Sequence, residues 1–163
     1  MTRPTCVVNQ ESVAWHDESH GEKYAMRRRQ LGAAAGGRQI GCSLYELPPG
    51  GRTWPYHWHA ANEEAIYVLE GEGTLRHPGG ECPIGPGDYL AFPVGEAGAH
   101  QVTNPSRSTL RFLCVSTMID PEVSVYPDAG KTGVFIGSAP GRMEGRKLAA
   151  FLPLASQVGY WEG

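Results

Sequence analysis

No run of about 18 apolar residues occurs in the chain, so no membrane-crossing helix is expected. The opening stretch, Met1 to Gln10, has no apolar core of the kind that marks a secretory signal, and a cytoplasmic location is the expectation. Cysteine is sparse. Cys6, Cys42, Cys82 and Cys114 form no Cys-x-x-Cys pair, which argues for reduced thiols over a disulfide frame or a thiolate metal site. Clustered positive charge is also missing. The formal net charge is −3 and the one basic run is Arg27-Arg28-Arg29, so nucleic acid is not expected as a partner. Helical signals are weak throughout. His16 and His20 stand four apart, but the segment around them has few apolar residues at helical spacing, and they are read as an accidental pair. No helix-turn-helix pattern is present, which weakens any reading as a DNA-linked sensor.

Glycine (22) and proline (13) are abundant among the 163 residues and fall at intervals rather than in one tract, which predicts many tight turns. Between them lie short segments rich in β-branched and aromatic residues. Strands are expected over 38–47, 54–59, 64–70, 74–77, 89–92, 99–103 and 108–117, and an added one over 132–136. Short strands punctuated every eight to twelve residues or so indicate an all-β sandwich or barrel. The segment 142–152 has weak helical character before Pro153, and the aromatic end, Tyr160-Trp161, is expected to be a buried anchor.

Against this background the histidines stand out. His57 and His59 flank Trp58, Glu63 and Glu64 follow, and His100 comes much later. In a strand, residues two apart share a face, so His57 and His59 reach one point while Trp58 faces away. Three imidazoles and a carboxylate form the ligand set of a catalytic-type divalent metal site with open positions. Such a mixed nitrogen and oxygen set suits iron(II), manganese(II), nickel(II), zinc(II), cobalt(II) or copper(II). It disfavours magnesium and calcium, which prefer all-oxygen shells. The same alternation turns Ile66 and Val68 inward with Glu64, and Val102 and Asn104 with His100, as mainly apolar walls of the cavity around the metal. It turns Tyr56 outward, leaves Trp54 ambiguous, and His77, beside a turn, is expected to be exposed.

The intervals around these residues resemble the two motifs of the cupin superfamily. Gly51, five residues, His57-x-His59, four residues, Glu64, six residues and Gly71 match the first motif in full. Gly87, five residues, Pro93-x-Gly95, His100 and Asn104 resemble the second, except that four residues rather than two separate Gly95 from His100. The family also tolerates the shorter interval that would make Glu63 the ligand, but the spacing to Gly71 favours Glu64. The resemblance implies a double-stranded β-helix, or jelly-roll, barrel over 38–118, with an N-terminal arm at 1–37. A C-terminal extension, 119–163, would pack on the barrel or on a second subunit. It further implies His57, His59, Glu64 and His100 as ligands of a divalent transition metal, Glu64 as a potential proton-transfer group, and a homodimer.

The resemblance carries three functional expectations. The first is a metal-dependent isomerase of a sugar or sugar phosphate, because small stand-alone cupins with the His-Trp-His and Glu-Glu-Ala-Ile-Tyr-Val-Leu-Glu-Gly wording look like proteins assigned to that class. A phosphorylated substrate would need cations at the mouth, for which Arg52, Arg76, Arg111 and Lys131 are candidates. The second is an iron(II)-dependent dioxygenase, and the third a non-enzymatic module that binds a small ligand or metal. All three take a small-molecule partner.

Overall fold

The computed structural model describes residues 4–162. It is built from thirteen antiparallel strands: β1 (His16–His20), β2 (Tyr24–Gln30), β3 (Ile40–Leu47), β4 (Trp58–His59), β5 (Glu64–Glu70), β6 (Gly73–His77), β7 (Gly80–Ile84), β8 (Tyr89–Phe92), β9 (Gln101–Thr103), β10 (Leu110–Thr117), β11 (Glu122–Tyr126), β12 (Lys131–Ile136) and β13 (Leu148–Pro153). They form a six-stranded sheet in the order β1-β2-β3-β10-β5-β8, a four-stranded sheet β13-β12-β11-β4 and a three-stranded sheet β7-β6-β9. The result is the all-β fold expected from the turn pattern, in the jelly-roll form that the resemblance implies.

The core lies between the six-stranded and three-stranded sheets. Tyr45, Leu47, Ile66, Val68, Leu110 and Phe112 from the first meet Leu75, Ile84 and Val102 from the second. The pleat explains the selection. In β5, Ile66 and Val68 are buried while Tyr67 between them is 45% exposed. Tyr45 and Phe112 are direct partners across β3 and β10, with rings stacked at 5.3 Å. Burying a side chain such as Phe112 or Leu110 stabilises the fold by about 1.5–3 kcal/mol.

The regions outside the barrel also pair. In the arm, β1 and β2 extend the six-stranded sheet from β3 outward. Its three consecutive arginines are each matched to a carboxylate: Arg27 to Glu46, Arg28 to Glu18 and Arg29 to Glu11, with Arg27 and Arg29 both packed on the Trp15 ring. His16 and His20 lie at opposite ends of β1, both exposed, so the strand separates them.

Four local expectations are corrected. Residues 142–152 hold no helix: a series of turns over 141–146, braced by Arg146 bonds to the Ala139 and Pro140 carbonyls, leads into β13, whose backbone pairs with the free edge of β12. A short apolar run fits either period, and the open sheet edge decides. Tyr160 and Trp161 anchor nothing. They are 89% and 92% exposed and pack on each other. The strand expected over 54–59 shortens to Trp58–His59, because Pro55 can donate no ladder bond. His77 is half-buried, its Nδ1 accepting from the Gly79 amide.

Candidate metal centre

His57 and His59 point to one side of the chain, with ring centroids 4.8 Å apart, as strand alternation requires. His100 is brought to them by the backbone. The amide of each of His57 and His100 donates to the other's carbonyl, at 3.2 and 2.9 Å, and the two rings lie 4.8 Å apart. The two additional residues after Gly95 do not displace this histidine. The four residues between Gly95 and His100 include a 3-10 turn, Glu96–Gly98, which starts from Gly95 at φ 86°. At Gly98 the chain folds so tightly against the Pro93 carbonyl that any side chain would collide with it. His100 therefore emerges at the bridge with His57, 5% exposed.

The ligand-type atoms of His57, His59 and Glu64 all lie within 4.8 Å of one another. His100 stands outside this trio but closes on it through Glu64, whose Oε2 is 3.2 Å from His100 Nε2 and 3.4 Å from His59 Nε2. Glu63, the alternative by count, is exposed, with its backbone amide bonded to the Thr117 hydroxyl.

The imidazoles are oriented from behind. The Nδ1–H of His57 donates to the Pro55 carbonyl at 2.8 Å, and that of His100 to the Gly98 carbonyl at 2.9 Å. His59 Nδ1 lies 3.2 Å from the Ser124 hydroxyl and 3.7 Å from Glu122 Oε1. In each ring Nε2 is left for the centre, where that of His59 lies 3.4 Å from the Glu64 carboxylate. Phe92 stacks on His100 at 3.8 Å and Tyr126 on His57 at 5.7 Å, which restricts ring rotation. His57, His59 and Glu64 drawn together, with Nδ1 occupied behind the rings and His100 beside Glu64, make the kind of mixed nitrogen and oxygen donor set that a divalent transition metal takes.

The electrostatics fit the same charge. Burial, helped by the neighbouring His100 and His59, pushes His57 down to about 3, so it stays neutral. Burial also opposes charge on His59, but the carboxylates of Glu122 and Glu64 outweigh it and raise the group to about 9. Burial would raise Glu64, yet hydrogen bonds from His100 and His59 hold it well below the usual carboxylate range. Two carboxylates around three imidazoles thus retain a proton at neutral pH, in the place a cation would take.

Glu122 was not singled out from the sequence. It is fully buried on β11 and accepts hydrogen bonds from the Ala60 amide at 3.0 Å, the Asn62 amide at 2.8 Å and the Asn62 side chain. It shares a face with Ser124 and Tyr126, and the alternation Glu122-Val-Ser124-Val-Tyr126 is the signal that could have found all three. By contrast, Val102 and Asn104 follow the parity of His100 but serve the fold. Val102 joins the core, and Asn104 bonds the Leu47 and Ser108 carbonyls. Tyr56 packs under Arg76 at 4.0 Å, away from the centre, whereas Trp54 lines the cavity above it. That cavity measures about 1210 Å³ and reaches from the imidazoles to the arm and to β12.

Comparison with known proteins agrees with this geometry. The model of the cupin domain matches residues 43–116. An oxalate-binding protein of Thermotoga maritima is 34% identical over 74 residues, which cover 45% of this chain and 59% of that protein. Solved structures extend the likeness beyond the barrel. A candidate sugar phosphate isomerase from Acidithiobacillus ferrooxidans is 28% identical and superimposes with a TM-score of 0.80 over 97% of this chain and 98% of its own. A sugar phosphate isomerase from Silicibacter pomeroyi is 26% identical, with a TM-score of 0.78 over 92% and 94% of the two chains.

Proposed function

The chain belongs to the cupin superfamily, and from that premise we propose that it is a metal-dependent isomerase of a sugar or sugar phosphate. His57, His59, Glu64 and His100 would hold one divalent transition-metal ion, which supplies Lewis-acid polarisation of the substrate carbonyl when bound. The observation that carries the reading is the extent of likeness. The arm and the extension, which the family model does not reach, are shared with a candidate sugar phosphate isomerase over 97% of this chain. Those same segments complete the cavity wall.

The proton shift between adjacent carbons needs a base in the cavity. Three carboxylates line the wall. Glu18 is paired with Arg28 and Glu144 with Arg142, which leaves Glu64 beside the imidazoles. Glu64 takes that role in this reading only if it is loosely held by the metal, because its grip by His59 and His100 makes it a weak base in the metal-free site. The rings of Tyr126 and Phe151, 5.9 Å apart, form the apolar wall of this end of the cavity.

The same reading includes a homodimer. β13 is an edge strand whose Phe151 and Leu152 are 54% and 51% exposed, and a second chain would cover them. Light scattering on the purified protein measures this directly.

The decisive test of the activity is elemental analysis of untagged protein, then incubation with aldose and ketose phosphates in heavy water. Deuterium incorporation next to the carbonyl, with interconversion of the pair, is the expected outcome. Uptake of dioxygen with an iron-loaded preparation, without such exchange, moves the assignment to the dioxygenase. Tight binding of a metabolite without turnover moves it to a binding module.

A further inference from the structure

The cations expected from the sequence to meet a charged substrate are mostly spent elsewhere. Arg76 is paired with Asp128 and lies over Tyr56, and Arg111 is shared between Glu46 and Glu70. Neither lines the cavity, and nor does Arg52. Of the four cations on the cavity wall, Arg38 is exposed and Arg142 is paired with Glu144, whereas Arg28 and Lys131 are half-buried. Lys131, at the start of β12, is half-buried and forms no ion pair among the described residues. Its ammonium sits 5.4 Å from the Tyr126 ring centre and 5.3 Å from that of Phe151. Arg28, in β2, is half-buried with its side chain only 14% exposed. One of its terminal nitrogens is 3.1 Å from Glu18, while its Nε is buried and has no acceptor.

A guanidinium donor left unpaired in a protein wall is costly unless something else supplies the acceptor. Arg28 is the only one of the three consecutive arginines that borders the cavity, since Arg27 and Arg29 turn to the Trp15 side of the sheet. The ring of Trp54, 5.9 Å away, and the turn at Gly141 confine its head. That turn is tied to the arm by Gln30, which donates to the Gly141 carbonyl at 2.7 Å. We propose that Arg28 and Lys131, which line the same cavity as the imidazoles, form an anion-binding pair that takes a phosphate or carboxylate group of the substrate, while the uncharged part of the substrate reaches the imidazoles. This rests on the isomerase reading for what lies at the other end of the substrate. The pairing of a planar fork with an oxyanion and of a mobile ammonium with its remaining charge is the division these two side chains favour. Neither residue belongs to the histidine motifs. They come from the arm and the extension, the parts that distinguish this chain from a bare barrel.

The test titrates inorganic phosphate, and separately acetate, into chelator-treated protein by calorimetry, so that no heat arises from binding to a metal. Arg28→Met is expected to weaken anion binding about tenfold or more, and Lys131→Met several-fold. Arg28→Lys, which keeps the charge but loses the fork, falls between wild type and Arg28→Met. Glu18→Gln disturbs the same corner of the fold yet frees the guanidinium, and it binds at least as tightly as wild type. Preference for phosphate assigns a phosphate ester, and preference for acetate a carboxylate. Absence of binding by both anions, or equal affinity in wild type and Arg28→Met, overturns the proposal. Metal content of the same preparations is read independently. Anion binding without metal uptake refutes the metal-dependent reading and leaves the anion pair standing, and metal uptake without anion binding does the reverse.

Discussion

The strands that carry the imidazoles and the strand that steadies them belong to very different parts of the chain. His57, His59, Glu64 and His100 fall within the stretch that matches the cupin model, at intervals that strand geometry makes intelligible. β11 falls beyond it, yet it pairs with β4 and sets Ser124 directly opposite His59. Its Glu122 is fully buried, whereas the side chain of Glu64 remains 20% exposed to the cavity. One carboxylate faces the chemistry and the other holds the wall. The difference teaches that donor atoms and their orientation are separable problems, solved here by different segments.

Breaking the wall should cost more than breaking the centre. Glu122→Ala strands the Ala60 and Asn62 amides and removes the partner of His59, and is expected to destabilise the fold by about 3–5 kcal/mol. Chemical denaturation of the variant measures it, and a cost under about 1 kcal/mol would reduce Glu122 to a bystander. His59→Ala is the converse case. It should sharply deplete metal, read by elemental analysis after gel filtration, while leaving a folded barrel. Unchanged metal content would mean that the ligand assignment is wrong.

Ser124→Ala sharpens the same contrast at lower amplitude. It removes only the hydroxyl beside His59 Nδ1, and metal affinity should fall about tenfold with little change in stability. The smallest effect is on pH. His59 is raised from 6.5 to about 9, so its proton contributes stability that is fully present below pH 6.5 and is lost as pH rises through 9. Chelator-treated protein should therefore melt lower at pH 9.5 than at pH 6.5, while metal-loaded protein, in which a cation replaces the proton, should show a flatter profile. Glu122→Gln should weaken the dependence in the metal-free form, since Glu122 is a principal cause of the shift. A melting temperature that holds level across that range in the metal-free wild type would show that the site retains no proton.

Much of the centre was legible because its logic is local. His57-Trp58-His59 needs only the two-residue period of a strand to put both imidazoles on one side. Ile66 and Val68 share the face of Glu64, as the pleat requires, but they join the core rather than the cavity wall, which alternation alone does not decide. His100 was legible as a candidate, but its placement depends on Gly98 fitting under the Pro93 carbonyl, which no count of intervening residues reveals. The arm is a different case. In the sequence Arg28 is one of three consecutive arginines with nothing to set it apart, and only the pairing of β2 with β3 turns it toward the cavity while its neighbours turn away.

Strand alternation, donor chemistry and turn spacing are properties of neighbouring residues, so the amino-acid order alone determined an all-β chain with four candidate ligands. Which edge β13 joins, which face of β11 backs the histidines and which arginine meets the cavity are properties of residues tens of positions apart. These depend on the pairing of distant strands, whose partner and register come from the burial of a shared core, and only the folded structure decided them.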